Sequence, residues 1–316
     1  MSLFIKRVII FFLSVIVVIT TIQILISLRI SGKTVTGHDN LEVTSNINAD
    51  LVFLGSSRCW AHFDPNFFDT AYKIKSLNIG VDGHSEIIMA IVRLEDYLSR
   101  NKAPQMAILS FDPFMGADSD ATKNTNFVHK DNFSRYAFWP SKKDRLIVDY
   151  FHFDCYEKYV PLYAIFKYQQ LKNDILLNNI DNWTKYGYEK HDETWDTISN
   201  PVSDINKSSY FKISDSHLIK QALNSLKTLC EHHKIKLICI QTPVYKACYD
   251  EQLFSETKRI AESLNIPFID ANKEYIRNDI GNFYNSNHLN INGTNKLNDF
   301  LKNDSLFNFH MQKLNH

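Results

Sequence analysis

The most constraining feature of this chain is an uncharged apolar run, Val8 to Leu28, 21 residues rich in Ile, Val, Leu and Phe. As a helix rising about 1.5 Å per residue it covers roughly 30 Å, the thickness of a bilayer's hydrocarbon core. Lys6 and Arg7 precede it and Arg29 and Lys33 follow it, so charge flanks both ends. A cleaved signal peptide has a shorter apolar stretch and a small-residue cleavage site. Ser27-Leu28-Arg29-Ile30-Ser31 does not have that form. The reading adopted is an uncleaved signal anchor over residues 1–30, N-terminus inside, rather than a buried helix of a soluble domain. No second apolar run of that length follows, so the rest of the chain is expected as one extramembrane unit.

Residues 31–48 are polar and aperiodic, a linker. Beyond them short apolar runs stop at turn residues. Leu51–Leu54 ends at Gly55, Ile74–Val81 ends among Gly80 and Gly83, Met106–Phe111 closes at Asp112-Pro113, Ile235–Ile240 leads to Pro243, and Ile266–Ile269 is short. Such runs read as strands. Segments 85–100, 216–233, 250–264 and 293–302 carry apolar residues at helical spacing. Apolar strands alternating with helices belong to a parallel sheet covered on both faces, an α/β domain over 49–316. Residues 114–213 interrupt the rhythm. They are aromatic-rich, with 141–177 mainly helical and 178–213 looped, and read either as a cap over the sheet's ligand edge or as a plain helical packing layer.

Composition excludes several classes. Lys+Arg and Asp+Glu are both 35, so no basic excess exists to neutralise phosphates, and nucleic-acid binding is not expected. Nine Gly, eight Pro and 44% hydrophobic residues exclude disordered and collagen-like chains. The five cysteines form no C-x-x-C pair and no disulfide framework, though their number still allows one bridge. Cys239, in an apolar run, reads as a core thiol. Signatures of P-loop NTPases, zincins and standard α/β-hydrolases are missing.

Ligands of open parallel sheets sit outside the carboxyl ends of the strands. There stand Gly55-Ser56-Ser57-Arg58, then Asp82-Gly83-His84, then Asp112-Pro113, then Thr242-Pro243-Val244-Tyr245, and finally Asn285-Ser286-Asn287-His288-Leu289-Asn290 with Gly293. A serine in a tight turn after a buried strand, with a histidine at the same edge, is what nucleophilic acyl chemistry requires. Serine alone is barely ionised near neutral pH. A glycine turn can aim a backbone N–H at a developing oxyanion. Arg58 reads either as a bidentate anion ligand or as a solvated residue, and Tyr245 either as cleft lining or as packing.

These blocks resemble those of the SGNH (GDSL-like) hydrolase superfamily, in the style of membrane-anchored bacterial proteins of polysaccharide O-acetylation and teichoic-acid D-alanylation. The resemblance implies a three-layer α/β/α domain with a flavodoxin-like parallel sheet of about five strands. It implies Ser57 as nucleophile, His288 as general base, Asn285 as its orienting residue, and the Ser57 and Gly83 N–H groups as the oxyanion hole. It implies an extracytoplasmic domain on a bacterial cell membrane acting on an acylated cell-envelope glycan. A multi-span membrane acyltransferase partner is implied too, and neither metal nor nucleotide cofactor is needed. Two departures stand out. The family places Asp where this chain has Asn285, a change that costs about ten-thousand-fold in serine-protease triads. Asp82, Asp112, Asp270 and Asp279 are the carboxylates that could substitute. The third-block Asn is not evident, and Asp112 stands near its place as a strand-ending turn. The departures keep open a non-catalytic glycan-binding or scaffold role. A soluble intracellular esterase is a third reading.

Overall fold

The computed structural model describes residues 3–30, 46–81, 83–116, 127–137, 145–176, 187–199, 201 and 210–315. Asp82 and most of the linker lie outside them. In chain order the elements are α1 (Leu3–Ile30), β1 (Leu51–Leu54), α2 (Ser57–His62), α3 (Pro65–Tyr72), β2 (Ser76–Asn78), α4 (Ile87–Arg100) and β3 (Met106–Ser110). Six short helices follow: α5 (Phe127–Asn132), α6 (Ser134–Ala137), α7 (Arg145–Tyr150), α8 (Cys155–Tyr159), α9 (Tyr163–Lys167) and α10 (Gln169–Leu176). Then come α11 (Ser216–His232), β4 (Lys236–Gln241), α12 (Glu251–Ser263), β5 (Phe268–Asp270), α13 (Glu274–Arg277), β6 (Phe283–Asn285), β7 (His288–Leu289), α14 (Ile291–Asn303) and α15 (Ser305–Gln312).

The chain forms two compact units. One comprises residues 1–42 and 121–181, the other residues 43–120 and 182–316. Within 114–213, the described residues 127–137 and 145–176 belong to the unit of the N-terminal helix, and 187–199 and 210–213 to that of the sheet.

The sheet unit is built on five parallel strands in the order β2-β1-β3-β4-β5. The strands are apolar because side chains on both faces are buried. Alternate residues enter two separate cores. Val52, Leu54, Ala107, Leu109 and Cys239 meet α4, α11 and α12 through Leu94, Leu223 and Ile260. Leu51, Phe53, Met106, Ile108 and Ile240 meet α2, α3, α14 and α15 through Cys59, Phe68, Leu297 and Phe307. Phe53 lies 4.9 Å from the ring centres of both Phe63 and Phe68. Replacing such a ring by Ala costs about 3–5 kcal/mol. Helix α2, too short for a periodicity signal, was not anticipated, nor was the two-stranded antiparallel sheet β6–β7.

In the other unit, α1 is long and apolar enough to cross a bilayer, a membrane anchor or a signal sequence by length and composition. Its side chains are almost all exposed except along its C-terminal end. There Ile19, Thr20, Gln23, Ile26 and Ser27, spaced to share one helical face, are covered. Helix α10 packs on α1, and the Leu162 N–H donates to Gln23 Oε1 at 2.7 Å.

All five cysteines are free thiols; Cys155 is exposed and the other four are buried. Burial pushes the Cys239 thiol well up from its ordinary value, as suits a core residue.

Candidate active site

The serine turn begins where β1 ends. Gly55 takes φ +145°, and a Cβ there would stand 2.9 Å from Cys59 Cβ and 3.1 Å from Ser110 Cβ. Only glycine lets the chain leave the strand at this point. Ser56 caps α2, its hydroxyl accepting from the Arg58 N–H at 3.4 Å. Ser57 is therefore the first residue of a helix, part-buried at the strand's carboxyl end. Its backbone N–H has no intrahelical partner.

The histidine stands on the β6–β7 hairpin, connected by Ser286 and Asn287. Asn285 Oδ1 accepts from the backbone N–H groups of Asn287 at 3.1 Å and His288 at 3.0 Å. That bracket fixes the turn. One step on, Asn290 caps α14 by accepting from the N–H groups of Asn292 and Gly293. Gly293 is required for packing, since a Cβ there would lie 2.2 Å from the Asn282 carbonyl oxygen.

These two devices bring Ser57 Oγ to 2.8 Å from His288 Nε2. The other ring nitrogen, Nδ1, lies 2.9 Å from Asn285 Oδ1. The tautomer follows from the bonding. Two backbone N–H groups point at Asn285 Oδ1, so that atom is an acceptor. The imidazole nitrogen facing it must carry the hydrogen. Nε2 then presents its lone pair to the Ser57 hydroxyl, which donates. Burial, and next the positive charges of Arg58 and His191, push His288 down from its ordinary value to about 3. The ring is neutral at physiological pH and a weak base.

Arg58 is neither solvated nor a free anion ligand. Buried at 2% exposure, its Nε donates to Asp112 Oδ2 at 2.6 Å. One terminal nitrogen donates to the Thr242 carbonyl at 2.9 Å, Thr242 Oγ1 at 2.8 Å and the Pro243 carbonyl at 3.2 Å. The other donates to the Asn287 carbonyl. A single guanidinium thus ties the loops after β3 and β4 to the histidine hairpin. Asp112 Oδ1 meanwhile accepts from the Phe114 N–H at 3.0 Å, forming the strand-ending turn. Asp270 accepts from the Asn272 N–H, and Asp279 from Gly281 N–H and Lys296. Among the described residues, then, the group on Nδ1 of His288 is an amide and not a carboxylate.

Ser57 opens into a cleft of about 180 Å³ lined by Ser56, Arg58, Gly83, His84, Phe114 and Asn287. Gly83 adopts φ +73°. Tyr245 is packing, edge-on to Trp195 and Phe283.

Sequence reasoning missed the aromatic wall behind the histidine. Residues 187–199 lie along the hairpin. The Ile291 N–H donates to the His191 carbonyl at 2.7 Å, and the Trp195 N–H to that of Phe283 at 2.8 Å. His191 stacks on Tyr284 at 3.6 Å between ring centres, and Tyr284 lies 5.4 Å from His288. His62, one turn along α2, accepts from the Leu289 N–H through Nε2 at 3.0 Å. Burial first, then the positive charge of Arg58 and the competing imidazoles of His288 and His191, hold it well below the usual imidazole range. The contact of His62 with the Leu289 N–H had no signal in the linear pattern. His84, beside Gly83, could have been noticed as its neighbour.

A scan of the chain against models of known protein families finds no match, and a search of curated proteins finds none either.

Proposed function

We propose that this chain is a membrane-anchored SGNH-like esterase or acyl (acetyl) transferase acting on a cell-envelope polysaccharide. The observation that carries the reading is the linear set Ser57 Oγ, His288 Nε2, His288 Nδ1 and Asn285 Oδ1, with contacts of 2.8 and 2.9 Å. In the proposed reaction Ser57 Oγ attacks the acyl carbonyl while His288 takes its proton. The oxyanion collects the Ser57 and Gly83 N–H groups, and His288 returns the proton to the leaving hydroxyl. The acyl-serine then passes its acyl group to water or to an acceptor sugar hydroxyl.

The amide at position 285 is compatible with this chemistry for a specific reason. Where Asp becomes Asn in a serine-protease triad, the loss of about 10⁴ in kcat is attributed to the wrong imidazole tautomer. Here the amide oxygen is held toward Nδ1 by two backbone N–H groups, so the productive tautomer is kept. What is missing is only the carboxylate's stabilisation of the imidazolium.

The strand order 2-1-3-4-5 is that of flavodoxin-like sheets, and the two cores support a three-layer reading. Coverage of the C-terminal end of α1 by helices of the same chain supports a retained anchor over a removed signal, because cleavage would strip Gln23 from Leu162. An extracytoplasmic bacterial location and a multi-span membrane acyltransferase partner belong to the same proposal, through the resemblance alone.

A second reading, a glycan-binding or scaffold subunit, is favoured by the low basicity of His288. A fluorophosphonate probe on the full chain separates the two. Labelling mapped to Ser57, lost in Ser57→Ala and in His288→Ala, is expected. A folded protein that does not label leaves the binding role standing.

A further inference from the structure

The unit containing α1 leaves an aromatic face uncovered. In the α8–α9 hairpin Ala164 is buried at 1% exposure, as is a carboxylate, Glu157. It closes a capping box with Asp154 and accepts from Lys130 and Lys167 and from the Tyr168 hydroxyl. Although burial pushes it up, the hydrogen bonds from Lys167, Tyr168 and the Asp154 N–H hold it below the usual carboxylate range. The outer face is apolar instead. Tyr156, Tyr159, Val160, Tyr163 and Phe166 are exposed, Phe166 at 80% and Tyr159 at 67%. Tyr156 and Tyr163 are neighbours, 6.2 Å between ring centres. Four aromatic rings left exposed on one short hairpin, while the unit buries others such as Phe151 and Phe153, imply that water is not what surrounds this face.

The depth of the hairpin identifies the surroundings. The Leu162 N–H, in the connection between α8 and α9, donates to Gln23 of α1. Gln23 lies five residues before Leu28, about 7.5 Å back along the helix axis from the end of the apolar run. A backbone group bonded there sits at or below the level where α1 leaves the hydrocarbon. Inside lipid a glutamine and a peptide N–H each need a partner, and each provides the other's. Tyrosines belong at that level, with ring in acyl chains and hydroxyl among headgroups. Lys158, beside the Tyr159 ring, adds a cation facing lipid phosphates.

We propose that the α8–α9 hairpin is a second membrane contact, seated in the bilayer interface beside the exit of α1 through Tyr156, Tyr159, Tyr163 and Phe166. The proposal rests on the reading of α1 as a membrane anchor.

The test is spin labelling of the full chain in phosphatidylcholine vesicles containing phosphatidylglycerol. Cys155→Ser removes the one exposed thiol; the other four are buried. Labels are placed singly at Phe166→Cys, at Tyr159→Cys, at Ile16→Cys within α1, and at Ile198→Cys, which is 91% exposed in the sheet unit. Collision with oxygen and with a water-soluble nickel complex is read at each. The expected result is loss of nickel accessibility and gain of oxygen accessibility at 166 and 159 relative to 198. Nickel accessibility at both equal to that at 198, with 16 protected, overturns the hairpin contact and leaves the anchor intact. Nickel access at 16 removes both.

Discussion

The serine turn and the histidine hairpin meet at one hydrogen bond yet are held by opposite chemistry. The serine turn rests on a buried ion pair, Arg58 with Asp112, 2% and 1% exposed. The hairpin is held mainly by neutral amides, Asn285 bracketing its turn and Asn290 capping the helix beyond. At this sheet edge the carboxylate is committed to the guanidinium that ties the loops together, and the imidazole is left with an amide. Charge serves the scaffold, and geometry alone serves the histidine. The difference teaches that a serine–histidine arrangement of the kind proposed for catalysis can be complete in position while incomplete in electrostatics.

The largest expected effect breaks the scaffold side. Arg58→Met leaves Asp112 buried without its partner and releases the Thr242, Pro243 and Asn287 carbonyls. A loss of about 3–5 kcal/mol in unfolding free energy is expected, the range for breaking a buried pair. Urea denaturation checks it. Arg58→Met combined with Asp112→Leu should lose less, because no orphan charge remains. A double variant as unstable as the single would mean that the carbonyl bonds, not the ion pair, dominate.

Next comes the electrostatic side. Asn285→Asp places a carboxylate on Nδ1–H and raises the His288 pKa from about 3 toward its ordinary value. Ester hydrolysis should rise more than tenfold, and by less than the roughly 10⁴ of the serine-protease comparison, since the tautomer is already correct. The pH profile sharpens the point. The unsubstituted protein should keep its base neutral, with no acid limb, down to about pH 4. The variant should gain an acid limb at higher pH. An unchanged rate and profile would separate Asn285 from catalysis.

Folding stability reports the same groups. His288 and His62 are held neutral in the fold while an unfolded chain protonates them near 6.5. The unfolded state therefore binds more protons below that pH. Stability should be full above about pH 6.5 and fall as pH drops toward 3. Thermal unfolding measured from pH 7 to pH 4 in Ser57→Ala and in Ser57→Ala with His288→Gln would show a weaker slope in the second. The smallest effect is expected from His191→Gln, which removes the least of the three influences on His288. A slight upward shift of any acid limb in the Asn285→Asp background should follow.

Much of the sheet was legible in the chain. Five apolar runs became five parallel strands with boundaries shifted by a few residues, because burial on both faces forces continuous hydrophobicity. Helices α4, α11, α12 and α14 were legible because each buries a stripe long enough to show its period. Ser57 and His288 were legible as types at strand ends. Helices α2 and α15 and the β6–β7 hairpin were not, being short or held by long-range contacts such as Tyr245 N–H to the Ser286 carbonyl. The role of Arg58 was hidden for the same reason, as its partners lie up to 229 residues away.

The sequence by itself determined the apolar helix, the alternation of strands and helices, and the serine and histidine turns, since those depend on local period and turn chemistry. Only the tertiary structure decided which atoms meet. It set Asn285 oxygen against Nδ1, gave Asp112 to Arg58, lined the histidine with Tyr284 and His191, and bonded Leu162 to Gln23. The Arg58–Asp112, His191–Tyr284 and Leu162–Gln23 contacts join residues distant in sequence, and their pairing is fixed by packing and burial, which no local pattern encodes.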